Sequence, residues 1–304
     1  MPKSNKLAGV FAALPTPYGE DGAPRVDRLY PILDFLLERG ITGFCLGGAT
    51  GEYAACSVEE RCTIFRSAAR RLNGCATFIL GVGGEHYGHV LRLGRVAAEC
   101  GASAVLLPPP SFFPYDPADL VDFIRQAATE LPLPVIFYNI PQFTDSLALR
   151  DVLLLADTVP NLAGIKDSSG APENLPVLRE AKAKLAFLIG SDDLLVSALE
   201  QGADGIISGT ASACPELIQA VYEAFRSGEA GKARSLESLL NEFLARIAAF
   251  PPAWAIKLAL SARGIEMGTL SWPMGERLRR KAQEFQEWFR AWAADYESAC
   301  ASRG

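Results

Sequence analysis

Two histidines in 304 residues, no Cys-x-x-Cys pair, no long basic run and no apolar stretch of membrane-spanning length set the first limits on this chain. No His/Cys/carboxylate cluster with ligand spacing exists, so neither a zinc ribbon nor any other metal is expected. The seven cysteines, Cys45, Cys56, Cys62, Cys75, Cys100, Cys214 and Cys300, are an odd set without paired spacing. Reduced, mostly buried thiols are therefore expected rather than a disulfide framework. With a formal net charge of -6, nothing stands ready to neutralise phosphates, and nucleic acid is not expected as a partner. The N-terminal Met-Pro-Lys-Ser-Asn-Lys meets an apolar segment broken at Pro15 and Pro17, too short for a signal sequence with a cleavage site. No run approaches the length that crosses a bilayer, so a soluble, cytoplasmic protein without a membrane partner is expected.

A glycine-rich phosphate turn is also missing. After the first apolar run the chain reads Leu14-Pro-Thr-Pro-Tyr-Gly, which speaks against an open doubly wound sheet with a nucleotide site. What is present is 49% hydrophobic content and a repeating pattern of short apolar run, turn and amphipathic stretch. The apolar runs are 7–14, 43–46, 76–81, 104–107, 135–138, 162–166, 186–190 and 205–208. Between them lie helical patterns at 26–39, 57–72, 89–100, 117–130, 147–155, 174–182 and 193–201, with Ser57 and Glu60 forming a capping-box signature. Continuously apolar strands alternating with helices predict parallel strands covered on both faces, the α/β class, and a (β/α)8 barrel. An eighth helix is expected over 215–226. Helical patterns at 233–249, 253–263 and 276–296 then predict a C-terminal three-helix subdomain, dividing the chain into 1–226 and 227–304.

In such a barrel, chemistry sits at the C-terminal strand ends. The sixth run ends Leu162-Ala-Gly-Ile-Lys166-Asp-Ser-Ser-Gly170. A lysine in an apolar, water-poor site gives up its proton more easily, and the neutral amine attacks a carbonyl to form an imine. A strand-end lysine also snorkels to water for no functional reason. The turn Gly47-Gly48-Ala49-Thr50-Gly51-Glu52 offers backbone amides and a hydroxyl to a carboxylate, or is simply a tight turn. Tyr138, in Phe137-Tyr138-Asn139-Ile140-Pro141, is a proton carrier or a packed aromatic.

Taken together, Gly-x-x-Thr-Gly-Glu, Tyr-Asn-x-Pro and Gly-x-Lys-Asp resemble the N-acetylneuraminate lyase / dihydrodipicolinate synthase family of Schiff-base aldolases and lyases. The resemblance runs from Leu7 into the helical tail, where Ala255 to Gly264 also looks like the family. It implies that Lys166 is the Schiff-base lysine and Tyr138 the general acid/base. Thr50 and the Ala49 and Thr50 amides resemble the substrate carboxylate site. Gly190 and Ile207 stand where relatives line the pyruvate pocket, and Asp192 and Asp193 match a loop that contacts substrate hydroxyls or, on the residues alone, caps the next helix. Ser208 offers a further acceptor. No cofactor is implied, and the histidines His86 and His89 read as surface or loop residues. Relatives are commonly dimers of dimers, so a homo-oligomer is expected by resemblance.

The departures narrow the reading. Many relatives carry a hydroxyl where Ala49 stands, passing protons to the tyrosine. Phe143 occupies the place of an arginine that binds the second substrate's carboxylate in dihydrodipicolinate synthases, and an aromatic ring cannot make that contact. The region Pro108 to Tyr115 lacks their paired tyrosines. The expectation is a lyase that cleaves or dehydrates a 2-oxo-3-deoxy sugar acid with pyruvate as the common unit, Phe143 and Ser111-Phe112-Phe113 walling its distal half. The alternatives are a condensing synthase and a non-catalytic 2-oxo acid binder.

Overall fold

A computed structural model describes residues 7–182 and 184–301; the stretch 1–6 that was read for a leader lies outside the described residues. Eight strands form a closed barrel in sequence order, each parallel to its neighbours. They are β1 (Gly9–Ala13), β2 (Gly43–Leu46), β3 (Thr77–Gly81), β4 (Ala104–Leu107), β5 (Val135–Asn139), β6 (Leu162–Asp167), β7 (Ala186–Ile189) and β8 (Gly205–Ser208). Each is short and mainly apolar because its two faces meet two dry surroundings, with polar residues such as Asn139, Lys166 and Asp167 at the C-terminal ends. One face, with Phe11, Cys45, Ile79, Leu106, Ile136 and Leu188, fills the barrel interior. The other, with Ala12, Phe44, Leu80, Val105, Phe137 and Phe187, packs beneath the helices. Closure between β1 and β8 needs Gly205, where a Cβ would stand 2.0 Å from the Gly9 carbonyl oxygen.

The surrounding helices are α1 (Leu29–Glu38), α2 (Val58–Leu72), α3 (Tyr87–Glu99), α4 (Pro117–Glu130), α5 (Leu149–Thr158), α6 (Leu175–Ala181) and α7 (Leu195–Glu200). The capping box at the start of α2 is formed: Ser57 Oγ accepts from the Glu60 amide at 3.2 Å, and Glu60 Oε2 accepts from the Ser57 amide at 2.7 Å. A one-turn helix, α8 (Thr210–Ala213), follows β8 and was not foreseen; the eighth barrel helix, α9, spans Pro215–Arg226 as expected.

Three further helices follow, α10 (Ala230–Ile247), α11 (Pro252–Ala262) and α12 (Glu276–Ala301). Phe243 of α10 stacks on Trp292 of α12 at 5.8 Å between ring centroids, and Phe285 and Phe289 complete the cluster. Each such ring, fully buried, contributes about 1.5–3 kcal/mol. No single helix among the described residues is long and apolar enough to cross a membrane.

Candidate active site

Strand pairing sets the chemistry. On the adjacent strands β5 and β6, Tyr138 is the register partner of Lys166, so the two side chains leave the sheet together at the barrel mouth. Lys166 Nζ lies 4.1 Å from the centroid of the Tyr138 ring, and the two residues are 5% and 4% exposed. Lys166 makes no ion pair among the described residues. Beneath it, burial pushes the Cys45 thiol up to about 11 while the nearby Lys166 pulls it down. The Lys166 side chain thus stands against an aromatic face with no carboxylate in contact, at the mouth where a carbonyl carbon can reach it.

The lysine opens into a cavity of about 540 Å³ whose wall includes Ala49, Thr50, Gly190, Asp192 and Ile207. These five positions, expected from the sequence, are thus brought together. Gly190 has a steric reason: a Cβ there would lie 2.0 Å from Ser168 Oγ and 2.9 Å from Lys166 Cε. Asp192 accepts from Thr210 Oγ1 at 2.6 Å, while its Oδ1 is buried and unpartnered. Burial raises the Asp192 carboxyl above its ordinary range, opposed by hydrogen bonds from Ser208 and Thr210 and by the Lys166 charge. Asp193 and Ser208 do not line the cavity. Asp193 is exposed, and Ser208 is fully buried, its Oγ accepting from the Ala211 amide at 2.9 Å. Neither aspartate caps α7. Ser168 and Gln142 also line the wall and were missed; both follow a motif residue by two or four positions, the only signal they carried.

The turn after β2 is braced from the far end of the chain. Glu52 sits in the left-handed region at φ 53°, unusual for a residue with a side chain. Its carboxylate pairs with Lys257 of α11 and accepts from Ser271 Oγ. Lys257 is 1% exposed, with Nζ 4.3 Å from the Tyr18 ring centroid. Burial lowers the pKa of its ammonium and Glu52 raises it again. Thr16 Oγ1 donates to the Gly51 carbonyl at 2.7 Å, holding the same turn from β1's side.

A second lobe of about 420 Å³ shares Ala49, Tyr138 and Phe143 with the first and extends past Tyr53, Ser111 and Phe112. The expected apolar wall is therefore present in Phe143 and Phe112. Phe113 is off the wall and packs edge-on against Phe112, 4.8 Å between centroids. His86 caps α3, its Nδ1 accepting from the Gly88 amide at 3.1 Å, and His89 is exposed on that helix. No group of three or more His, Cys, Asp or Glu side chains is placed to hold a metal among the described residues.

Comparison with known proteins agrees with this geometry. The chain is 30% identical over 269 residues to an uncharacterised DapA-like lyase of Halobacterium salinarum, covering 88% of each. It is 27% identical over 270 residues to 4-hydroxy-tetrahydrodipicolinate synthase of Bacillus subtilis, covering 88% of this chain and 93% of the relative. A solved structure of an Escherichia coli K12 prophage protein of the dihydrodipicolinic acid synthase family, in complex with pyruvate, superposes with a TM-score of 0.87 at 24% identity, covering 94% and 98% of the two chains. The family model for dihydrodipicolinate synthetases matches residues 6–291, and with that span the chain belongs to the dihydrodipicolinate synthetase family.

Proposed function

We propose that this protein is a class I, imine-forming lyase whose substrate contains pyruvate as its constant unit. The observation that carries this reading is the buried, carboxylate-free Lys166 held against Tyr138 at one register position of adjacent strands. Lys166 Nζ attacks the C2 carbonyl of a 2-oxo acid, and Tyr138 gives its proton to the departing hydroxide, leaving an iminium beside a phenolate. The phenolate takes the proton of the C4 hydroxyl. The C3–C4 bond then breaks, its electrons pass into the iminium as an enamine, and the aldehyde departs. Tyr138 returns the proton to C3, and water hydrolyses the imine to free pyruvate. The Thr50 turn offers amides to the substrate carboxylate.

For the distal half, the reading is a 2-oxo-3-deoxy sugar acid, cleaved or dehydrated along the same route. Asp192, Ser168 and Gln142 supply polar atoms on one wall of the cavity for hydroxyl groups. A relative from Escherichia coli K12, 27% identical over 274 residues, is named as a probable 2-dehydro-3-deoxy-D-pentonate aldolase, which supports that choice. Condensation with an aldehyde that carries a second carboxylate is disfavoured by Phe143, whose ring stands on the walls of both lobes. A non-catalytic binder has no use for an unpaired buried amine. Association as a dimer of dimers is proposed from the resemblance.

Borohydride reduction in the presence of pyruvate, followed by peptide mass analysis, tests the core of the proposal. One adduct on the peptide containing Lys166 is expected, and a protein free of adduct would sink it. Five- and six-carbon 2-oxo-3-deoxy acids, assayed separately for pyruvate release and for water loss, test the distal half. Turnover confined to aromatic or simple aliphatic aldehydes would assign that half to the Phe112 and Phe143 wall instead.

A further inference from the structure

The pairing that sets Lys166 beside Tyr138 is not the one with which their two strands begin. At the start of β5 and β6 Val135 partners Leu162, but one residue on Ile136 partners Gly164, so Ala163 is left out as a bulge. Continued without that shift, the ladder would set Tyr138 opposite Ile165 and Lys166 opposite Asn139. A slip of one residue sends a strand's side chains to the other face of the sheet, which for Lys166 is the face beneath the helices. Something beyond the bulge must select the shifted register.

A side-chain bond at the far end of the same strands meets that need. Asn139 Nδ2 donates to Asp167 Oδ1 at 2.7 Å, and these residues, one position beyond Tyr138 and Lys166, are themselves register partners. Ser169 Oγ holds Asp167 in turn, donating to its Oδ2 at 2.7 Å, and the Asn139 carbonyl accepts from the Ser168 amide at 2.9 Å. Behind the pair there is no packed core. Both residues line a cavity of about 190 Å³ whose wall includes Leu149 and Val152 of α5 and Leu175 and Leu178 of α6. With open space at their backs, the strand ends are held by hydrogen bonds rather than by packing. Asn139 Oδ1 is buried and has no partner among the described residues, and a buried amide satisfied on one side only is a cost to folding. A side chain kept at that cost is explained by what its amide nitrogen holds.

We propose that Asn139 and Asp167 are positioning residues for the lysine-tyrosine pair: their bond closes only in the shifted register and so keeps Lys166 against the face of Tyr138. The inference rests on the imine-forming reading above, and it gives neither residue a contact with substrate. The turn after β2, which offers amides to the substrate carboxylate, is braced separately by Thr16, Lys257 and Ser271. Loss of the Asn139–Asp167 bond therefore disturbs the step that needs lysine and tyrosine together and leaves the hold on pyruvate in place.

Exchange of deuterium into the methyl group of pyruvate in D2O, followed by proton NMR, requires Lys166 and Tyr138 together and no aldehyde. Asn139→Leu removes the amide with little change in size. At saturating pyruvate its exchange is expected to slow by about 10-fold, short of the 10²-fold that an ångström of misplacement can cost. The half-saturating pyruvate concentration is expected to stay where it is, and borohydride still labels Lys166. Asn139→Asp gives an independent readout should the leucine variant not fold. Asp167 is the only titratable side chain on the wall of that cavity, with Lys166 and Tyr138 on the opposite face of the strands. Two carboxyls at hydrogen-bond distance share one proton at low pH and repel once it leaves. The exchange rate of Asn139→Asp, divided by that of the unaltered protein at each pH, is therefore expected to be near one in acid and to fall as the pH rises. Unchanged exchange in Asn139→Leu, a loss matched by an equal weakening of pyruvate saturation, or an Asn139→Asp ratio that ignores pH overturns the positioning role while the imine on Lys166 stands. Absence of any adduct in the unaltered protein overturns the imine reading and the positioning role together.

Discussion

The mouth of β6 and the inner face of α11 each bury a lysine against a tyrosine. Lys166 is 5% exposed with its Nζ 4.1 Å from the Tyr138 ring centroid; Lys257 is 1% exposed with its Nζ 4.3 Å from that of Tyr18. Burial and aromatic contact are therefore common to both and distinguish nothing. The difference is the carboxylate. Lys257 is paired with Glu52, whereas the carboxylate nearest in influence to Lys166, Asp192, is engaged by Thr210 and holds no ion pair with it. Lys257 is held by a counter-ion and serves structure; Lys166, with no carboxylate in contact, faces a cavity that a carbonyl compound can enter.

The sharpest way to break this comparison is to ask which lysine is modified. Pyruvate and borohydride should label Lys166 alone, and Lys166→Ala should yield no adduct and no turnover; an adduct mapped to Lys257 would erase the distinction. Next in size is Lys257→Met, which leaves the Glu52 charge buried without its counter-ion. It should cost about 3–5 kcal/mol of stability in urea unfolding, and the folded fraction should still be labelled at Lys166. Adding Glu52→Gln to that variant should recover part of the loss, because the orphaned charge is then gone. Third, Tyr138→Phe should lower turnover by about 10²-fold with labelling intact, whereas Tyr18→Phe, at the other lysine, should leave turnover within a few-fold. Smallest is Gly190→Ala, whose methyl crowds Lys166 Cε and Ser168 Oγ. Single-turnover imine formation should slow by about 10-fold, short of the 10²-fold that an ångström of misplacement can cost, and an unchanged rate would show that the wall gives way.

The difference between the two lysines also marks how far the sequence could be read. Lys166 and Tyr138 were legible because each closes an apolar strand run, and Thr50 because it stands in the glycine-rich turn that follows one; both are local patterns. The strand runs themselves were legible for a related reason: both faces of a parallel strand are dry, so 43–46, 104–107 and 205–208 coincide with β2, β4 and β8. Helix starts were less so. The pattern 147–155 begins two residues before α5, and 193–201 proves to be a tight turn at Asp192–Leu194 followed by α7, since a turn and a first helical turn share the same polar composition. Glu52 and Lys257 were seen as parts of motifs, but their pairing joins segments that no periodicity connects. Asp193 and Ser208 lie off the cavity wall, a placement the sequence does not carry because adjacency along the chain says nothing of which way a side chain leaves a turn or a strand. Arg61 falls inside the helical pattern 57–72, and only the fold shows it reaching the Gly81 and Gly83 carbonyls at the end of β3.

The Glu52–Lys257 pair carries a consequence for how such a chain can be inherited. Eight strand-and-helix units end at Arg226, which looks like a natural joint for recombination. Yet the counter-ion that steadies the turn after β2 is encoded well beyond that joint, at Lys257 in α11, with Ser271 further on still. A chimaera that took the barrel from one parent and the helical tail from another would have to match a lysine in the second to a glutamate in the first. Barrel and tail are thus expected to have travelled through descent as one heritable unit, with crossovers that separate position 52 from position 257 tolerated only where both parents carry the pair.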